Sequence, residues 1–136
     1  MITEDYVSYE VAKLLKQKGF DEELEKLIRP DGKRFFLDQH SVSREKHCTI
    51  KNSDINRYDD CVSCPTHQMA MKWLREIHHI HIMISIGFDE GRMFYHANFA
   101  QFEKDRITYG NPIETDFSTC EEAVEAALKY SLENLI

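Results

Sequence analysis

The chain has 136 residues, of which 42% are hydrophobic and 30% are charged, and its formal net charge is −7. This length and composition are typical of one globular domain with a single core, and no apolar run approaches the roughly 18 residues that span a bilayer. A negative field repels phosphate backbones, so the charge argues against a nucleic acid partner and favours a basic protein partner.

The N-terminal residues 1–6 are acidic and show no basic region followed by an apolar one. We therefore expect no secretory signal, a cytoplasmic location and no contact with a membrane. In a reducing compartment cysteines are thiols or metal ligands and seldom form disulfides. This expectation applies to all four cysteines of the chain: Cys48, Cys61, Cys64 and Cys120.

The first predicted element is a short amphipathic helix that begins after Ser8. Apolar residues follow at helical spacing and make one stripe: Val7, Val11, Leu14 and Leu15. Ser8 is a suitable N-cap, and Gly19 can adopt the left-handed conformation that ends a helix. The pattern predicts about three helical turns.

A strand hairpin is predicted next, followed by a long polar loop. Residues 29–33 read as a tight turn because they combine a proline with a glycine. Residues 35–37 are predicted to form a strand. Residues 22–28 fit either a strand or a helical turn, and as a strand residues 24–28 would be the hairpin partner. Residues 40–60 are polar and weakly periodic, so we expect a loop, and loops of this length are often functional.

A second helix is predicted to start at Pro65 or Thr66, because proline is tolerated in the first turn of a helix. Apolar residues at three- and four-residue spacing define its buried face. This face comprises Met69, Ala70, Trp73, Leu74 and Ile77.

After this helix the spacing of apolar residues changes from helical to strand-like. Isoleucine alternates with other residues from Ile80 to Ile86, which predicts a half-buried strand, and an alternating return strand spans residues 92–101. We predict that Ile86 lies opposite Met93, so that every apolar pair falls on one face. A one-residue slip, as with a three-residue turn that ends in a glycine bulge, would bury polar residues instead.

A third strand over residues 107–109 and a final helix complete the prediction. Ser118 or Thr119 caps this helix, and a glutamate three residues later completes a capping box with either. The predicted fold is α+β: one domain over residues 1–136, with an antiparallel hairpin or meander and about three α-helices packed on one face of the sheet.

Cysteine spacing suggests a metal site as one hypothesis. Cys48, Cys61 and Cys64 are spaced C-x12-C-x2-C, and three histidines lie close in sequence: His40, His47 and His67. Thiolates and imidazole bind zinc tetrahedrally, although structural zinc sites usually show two well-spaced ligand pairs. Redox use of the C-x-x-C would require a preceding strand in a βαβ unit, and polar residues 52–60 stand there instead.

Histidines suggest a second site, on the strand face opposite the isoleucines. In the preferred register this face carries His79, His81, Phe94 and His96. His81 and His96 are then diagonal neighbours, close enough to share one metal ion. No carboxylate is evidently placed to orient the rings, which favours a binding surface over a metal site.

Catalytic motifs are missing from the sequence. It has no G-x-S-x-G, no glycine-rich phosphate loop and no H-E-x-x-H. We therefore expect a protein that is not an enzyme and has no cofactor other than a possible zinc ion.

Three segments resemble a group of small uncharacterised proteins of gut bacteria, often associated with phages or mobile elements. They are residues 2–15 (ITEDYVSYEVAKLL), 65–76 (PTHQMAMKWLRE) and 117–128 (FSTCEEAVEAAL). The resemblance implies a bacterial cytoplasmic protein and supplies no catalytic residue. In that group the residue before the proline is often small and is not cysteine, which argues against a zinc role for Cys64.

Two functions are compatible with these observations. The first is a non-enzymatic binding or accessory module of a bacterial mobile element that contacts a protein through the histidine-bearing face and the loop. The second is a metal-binding protein, which metal analysis of protein purified without a histidine tag would distinguish. An antitoxin-like partner protein is a third possibility, and it rests only on the order of three strands and a helix at the C-terminus.

Overall fold

The computed structural model describes residues 1–37, 49–55 and 60–136. These residues form three α-helices and two three-stranded antiparallel sheets, so the predicted α+β class is confirmed. They divide into two compact units, Met1–Thr66 and His67–Ile136. The assignment of residues 1–136 to a single domain stays a prediction. None of the helices in the described ranges is long and apolar enough to cross a membrane.

The first unit begins with α1, Tyr9–Gln17, and both predicted ends are confirmed. The Ser8 side chain accepts a hydrogen bond from the backbone N–H of Val11. Gly19 has a φ of 96°, and the N–H of Phe20 donates to the carbonyl of Leu15. This pattern is a Schellman motif, which needs a left-handed residue after the helix and explains the glycine.

The sheet of the first unit contains β1, Lys26–Ile28, β2, Arg34–Phe36, and β3, Val62–Ser63, in the order β2–β1–β3. The predicted hairpin is confirmed, because β1 pairs antiparallel with β2. Asp31 accepts hydrogen bonds in the turn from Arg29 and from the N–H of Lys33, and both lower the pKa of its carboxyl. β3 is only two residues long and has no periodicity that a sequence pattern could reveal.

Part of the predicted loop 40–60 lies outside the described residues, namely 40–48 and 56–59. The described residues 49–55 belong to the first unit and bond to other parts of it. Ile50 forms an antiparallel bridge with Leu24, and a 3-10 turn follows at Asn52–Asp54. The buried Asn52 donates to the carbonyl of Phe20 and accepts from the N–H of Ser63. It thereby links the end of α1 to β3.

The second unit contains α2, His67–His78, β4, Ile80–Asp89, β5, Arg92–Glu103, β6, Arg106–Gly110, and α3, Cys120–Tyr130. The strands are ordered β4–β5–β6. The predicted third strand is confirmed, and Thr119 caps α3 by accepting a hydrogen bond from the N–H of Glu122. A π-helical turn, Ser131–Leu135, continues α3.

The predicted register of the β4–β5 hairpin is wrong by two residues. Ile86 lies opposite Tyr95, and Met93 lies opposite Phe88. The turn is formed by Glu90 and Gly91, whose φ angles are 48° and 77°. A two-residue hairpin turn with both φ values positive favours glycine at its second position, and the predicted register would have placed Asp89 and Glu90 there. Both registers keep the isoleucines on one face, so burial alone does not distinguish them.

The isoleucine face is covered at one end only. α3 contacts β4 and β5 on this side, where Phe99 lies 5.4 Å from the ring of Tyr130. Ile80 is buried, whereas Ile86 is 65% exposed. The helices packed on this face therefore do not cover all four isoleucines, because the hairpin extends beyond α3.

The buried face of α2 also differs from its prediction. Ala70, Trp73 and Leu74 are buried as expected, but Met69 and Ile77 are exposed. His67 is buried in their place, because it lies three residues before Ala70 and seven before Leu74. Its Nε2 is 2.8 Å from a carboxylate oxygen of Glu125 on α3.

Candidate functional site

The sheet of the second unit has one face that lies opposite the side contacted by α3. Side chains alternate between faces along a strand, and Phe99 faces α3, so the even-numbered residues of β5 lie on the opposite side. We call this side the open face. Its residues are His81, Met83 and Ser85 of β4, Phe94, His96, Asn98, Ala100 and Phe102 of β5, and Ile107 and Tyr109 of β6.

Several exposed apolar side chains lie on the open face. Met83, Phe102, Ile107 and Tyr109 are all exposed, and Tyr109 retains 69% of its surface. Tyr109 lies opposite Ala100, and Ile107 lies opposite Phe102. Neighbouring exposed apolar residues on one face are typical of a surface that contacts another molecule.

Three of the four residues predicted for the binding surface lie on this face: His81, Phe94 and His96. His79 lies just before β4, where it is exposed and has a φ of 57°. Its carbonyl accepts a hydrogen bond from the N–H of Phe102. This backbone hydrogen bond places His79 beside Phe102, a residue of the open face.

Each histidine of the open face has an aromatic neighbour. The ring of His81 lies 5.4 Å from the ring of Phe102, and that of His96 lies 4.8 Å from Phe94 in an edge-on arrangement. The predicted diagonal contact between His81 and His96 is wrong. His81 lies opposite Ala100, four residues along β5 from His96, so the two-residue shift of register separates the imidazoles.

A carboxylate that the sequence did not reveal orients His96. Tyr95 and Phe117 exchange two backbone hydrogen bonds, of 2.8 and 3.0 Å, at the edge of β5 beyond the end of β6. This bridge places Asp116 beside His96, and its carboxylate lies 3.0 Å from Nδ1 of the imidazole. Both side chains are partly exposed, so we expect the pair to contribute less than about 1 kcal/mol to stability.

A recess adjoins this pair at the hairpin end of the sheet. Its volume is about 280 Å³, and residues 89, 90, 92–94 and 116–118 provide its lining. Three of the lining residues are acidic, Asp89, Glu90 and Asp116, whereas Arg92 is basic. The hairpin end of the open face therefore carries more negative than positive charge, which suits a cationic group of a partner.

Gly87 determines the position of Phe94, which lies opposite it across the hairpin. A Cβ atom added at Gly87 would overlap the Phe94 ring. We expect Gly87→Ala to displace the ring from His96 at a cost of about 0.5–1.5 kcal/mol, because the half-buried ring can turn towards solvent. Chemical shifts of the His96 imidazole and a thermal melt test this. Unchanged His96 shifts would contradict it, and Thr108→Ala on β6, which lies opposite Gln101 on the other face, provides the control.

Three of the four residues predicted as metal ligands lie in the described part of the chain. Cys61 and Cys64 are buried in the first unit, and the Cys64 thiol lies 3.5 Å from the carbonyl of Val7. His67 in the second unit contacts Glu125, and Cys48 lies outside the described residues. No group of three or more metal-binding side chains occurs within 1–37, 49–55 and 60–136, and the metal site stays a prediction.

Comparison of the chain with family models, curated proteins and solved structures found no match. The assignment of a function to the open face therefore rests on the residues described above.

Proposed function

We propose that the protein is a non-enzymatic binding module that contacts a protein partner through the open face. The observation that supports this most directly is the exposed apolar group of Met83, Phe102, Ile107 and Tyr109. Aromatic side chains and methionine are enriched in protein interfaces, and tyrosine is a frequent hot-spot residue. His81, Phe94 and His96 extend the same surface.

The charge around the open face favours a basic partner. The chain carries a net charge of −7, and the recess beside His96 is lined by three carboxylates. A lysine or arginine of the partner that enters this recess would be attracted by Asp89, Glu90 and Asp116. Such charges at the edge of an interface raise the association rate and select against acidic partners.

The biological setting follows from the resemblance of residues 2–15, 65–76 and 117–128. That resemblance supports an accessory protein of a bacterial mobile element that acts in the cytoplasm. The partner would then be a basic protein of the element or of its host.

Crosslinked pull-down from the native host tests the proposal with two matched variants. Ile107→Lys places a cation on the open face, and Ile77→Lys places one on an exposed site of α2. We expect the same protein to be recovered with the wild type and with Ile77→Lys, and lost with Ile107→Lys. With both proteins purified, Ile107→Lys should raise Kd roughly 30-fold or more, as loss of a hot spot does.

Circular dichroism shows whether the Ile107→Lys variant keeps its fold. Recovery of the same protein by a folded Ile107→Lys variant would show that the open face is not the contact surface. Repeated failure of the wild type to recover any specific protein would count against a binding module altogether.

A further inference from the structure

β4 forms one edge of its sheet in the described part of the chain. The N–H of Phe102 donates to the carbonyl of His79. This bond shows which residues of β4 direct their backbone groups towards β5 and which direct them away. Odd-numbered residues of β4 therefore exchange hydrogen bonds with β5, and even-numbered residues direct their N–H and C=O groups outward. The outward groups belong to Ile80, Ile82, Ile84, Ile86 and Phe88.

Residues 80–88 of this edge include none of the charges, prolines or bulges that usually prevent strand pairing between molecules. Natural edge strands are blocked by charged residues, prolines or bulges. Residues 80–88 contain no Asp, Glu, Lys, Arg or Pro, and the β4–β5 register runs without a bulge from Ile80 to Asp89. The edge is therefore suited to pair with another strand.

β4 is complementary to itself. In an antiparallel pair of two β4 strands centred on Ile84, Ile82 of one copy lies opposite Ile86 of the other, and Ile80 lies opposite Phe88. The outward groups of these residues would form roughly ten hydrogen bonds, two for each pair. The same register places His79 opposite Asp89 at both ends, so that an imidazole meets a carboxylate.

The exposed tip of the isoleucine face supports the same register. Ile86 and Phe88 are 65% and 74% exposed although they lie on the side that α3 covers elsewhere. In the β4–β4 pair these two side chains would lie beside Ile82 and Ile80 of the second copy. Cross-strand neighbours of this kind stabilise a sheet through contact between apolar side chains.

We propose that two copies of the chain associate through antiparallel pairing of their β4 edges about a two-fold axis at Ile84. The two sheets join into one six-stranded sheet. Directly opposite residues share a face, so both open faces lie on the same side and form a bivalent surface. The dimer contact does not include the open face, so a protein that proved monomeric would not contradict the proposed function.

Sedimentation of the full chain, with one proline variant in each edge strand, tests the dimer. Ile86→Pro removes an N–H that points away from β5, so the variant should keep its fold while it loses the β4–β4 ladder. Ile107→Pro is the matched control. Ile107 lies opposite Phe102, whose N–H bonds to β4, so the N–H of Ile107 also points outward, from β6.

We expect the wild type and Ile107→Pro to sediment as dimers at micromolar concentration, and Ile86→Pro to dimerise at least 100-fold more weakly. Circular dichroism should give the same secondary structure for all three proteins. A wild type that remains monomeric at roughly 100 µM, or a dimer that persists in folded Ile86→Pro, would overturn the proposal.

A mixed disulfide tests the register independently. Met83 of one copy lies opposite Ser85 of the other in a pair without hydrogen bonds, where Cα atoms are about 4.5 Å apart and a disulfide can form. Oxidation of a mixture of Met83→Cys and Ser85→Cys chains should give this bond, mapped by mass spectrometry. A mixture of Met83→Cys and Thr108→Cys should not. A dimer without the first bond, or with the second, would contradict the register.

Discussion

Replacement of Asn52 by alanine is expected to lower the free energy of unfolding by about 2–4 kcal/mol. The side chain of Asn52 is only 5% exposed and forms two buried backbone hydrogen bonds, to the carbonyl of Phe20 and from the N–H of Ser63. Alanine leaves both backbone groups without that partner, and each unsatisfied buried group costs about 1–3 kcal/mol. α1 and β3 would lose the residue that joins them.

Urea unfolding of the full chain, followed by circular dichroism, measures this change. Ser53→Ala is the control, because Ser53 is exposed and its side chain donates a hydrogen bond to the partly exposed Asp21. We expect the control to cost less than about 1 kcal/mol. A change below about 0.5 kcal/mol for Asn52→Ala would show that Asn52 does not hold the first unit together.

Replacement of Leu128 by alanine is expected to lower the free energy of unfolding by about 2–5 kcal/mol, the range for Leu→Ala at fully buried sites. Leu128 is completely buried on α3, the helix that contacts β4 and β5. The variant removes apolar contacts and leaves a cavity on the isoleucine side of the sheet.

The same urea titration measures the Leu128 variant. Leu135→Ala in the π-helical turn is the matched control, because Leu135 is only half-buried. We expect it to cost about 1 kcal/mol or less. If Leu135→Ala destabilises the protein more than Leu128→Ala does, α3 is not anchored on the sheet as described.

Local rules predicted much of the fold. The Ser8 cap, the Gly19 helix end and the 24–37 hairpin depend on residues close together in sequence, and all three were predicted correctly. The alternation of Ile80 to Ile86 predicted the strand and which residues of the two strands share a face. It did not predict the register, because a shift of two residues preserves every face and the turn residues Glu90 and Gly91 decide between the alternatives.

The candidate site was predicted less completely. His81, Phe94 and His96 share the predicted face because side chains alternate along a strand. Asp116 was missed because it reaches His96 through an isolated bridge far along the chain. His67 lies on the buried face of α2 because it precedes Ala70 and Leu74 at helical spacing, and the sequence prediction of that face did not include it. The role of Asn52 was not predicted, because a buried side chain that bonds to distant backbone groups from an irregular segment leaves no periodic pattern in the sequence.

Site-specific photocrosslinking in the native host tests the central claim, that the open face binds a protein, most directly. A photoreactive phenylalanine analogue replaces Tyr109 on the open face, or Phe36 on β2 as an exposed aromatic control. We predict one discrete crosslinked protein from position 109 and none from position 36. Crosslinks from position 36 alone, or none from position 109 in a folded and expressed protein, would contradict the claim.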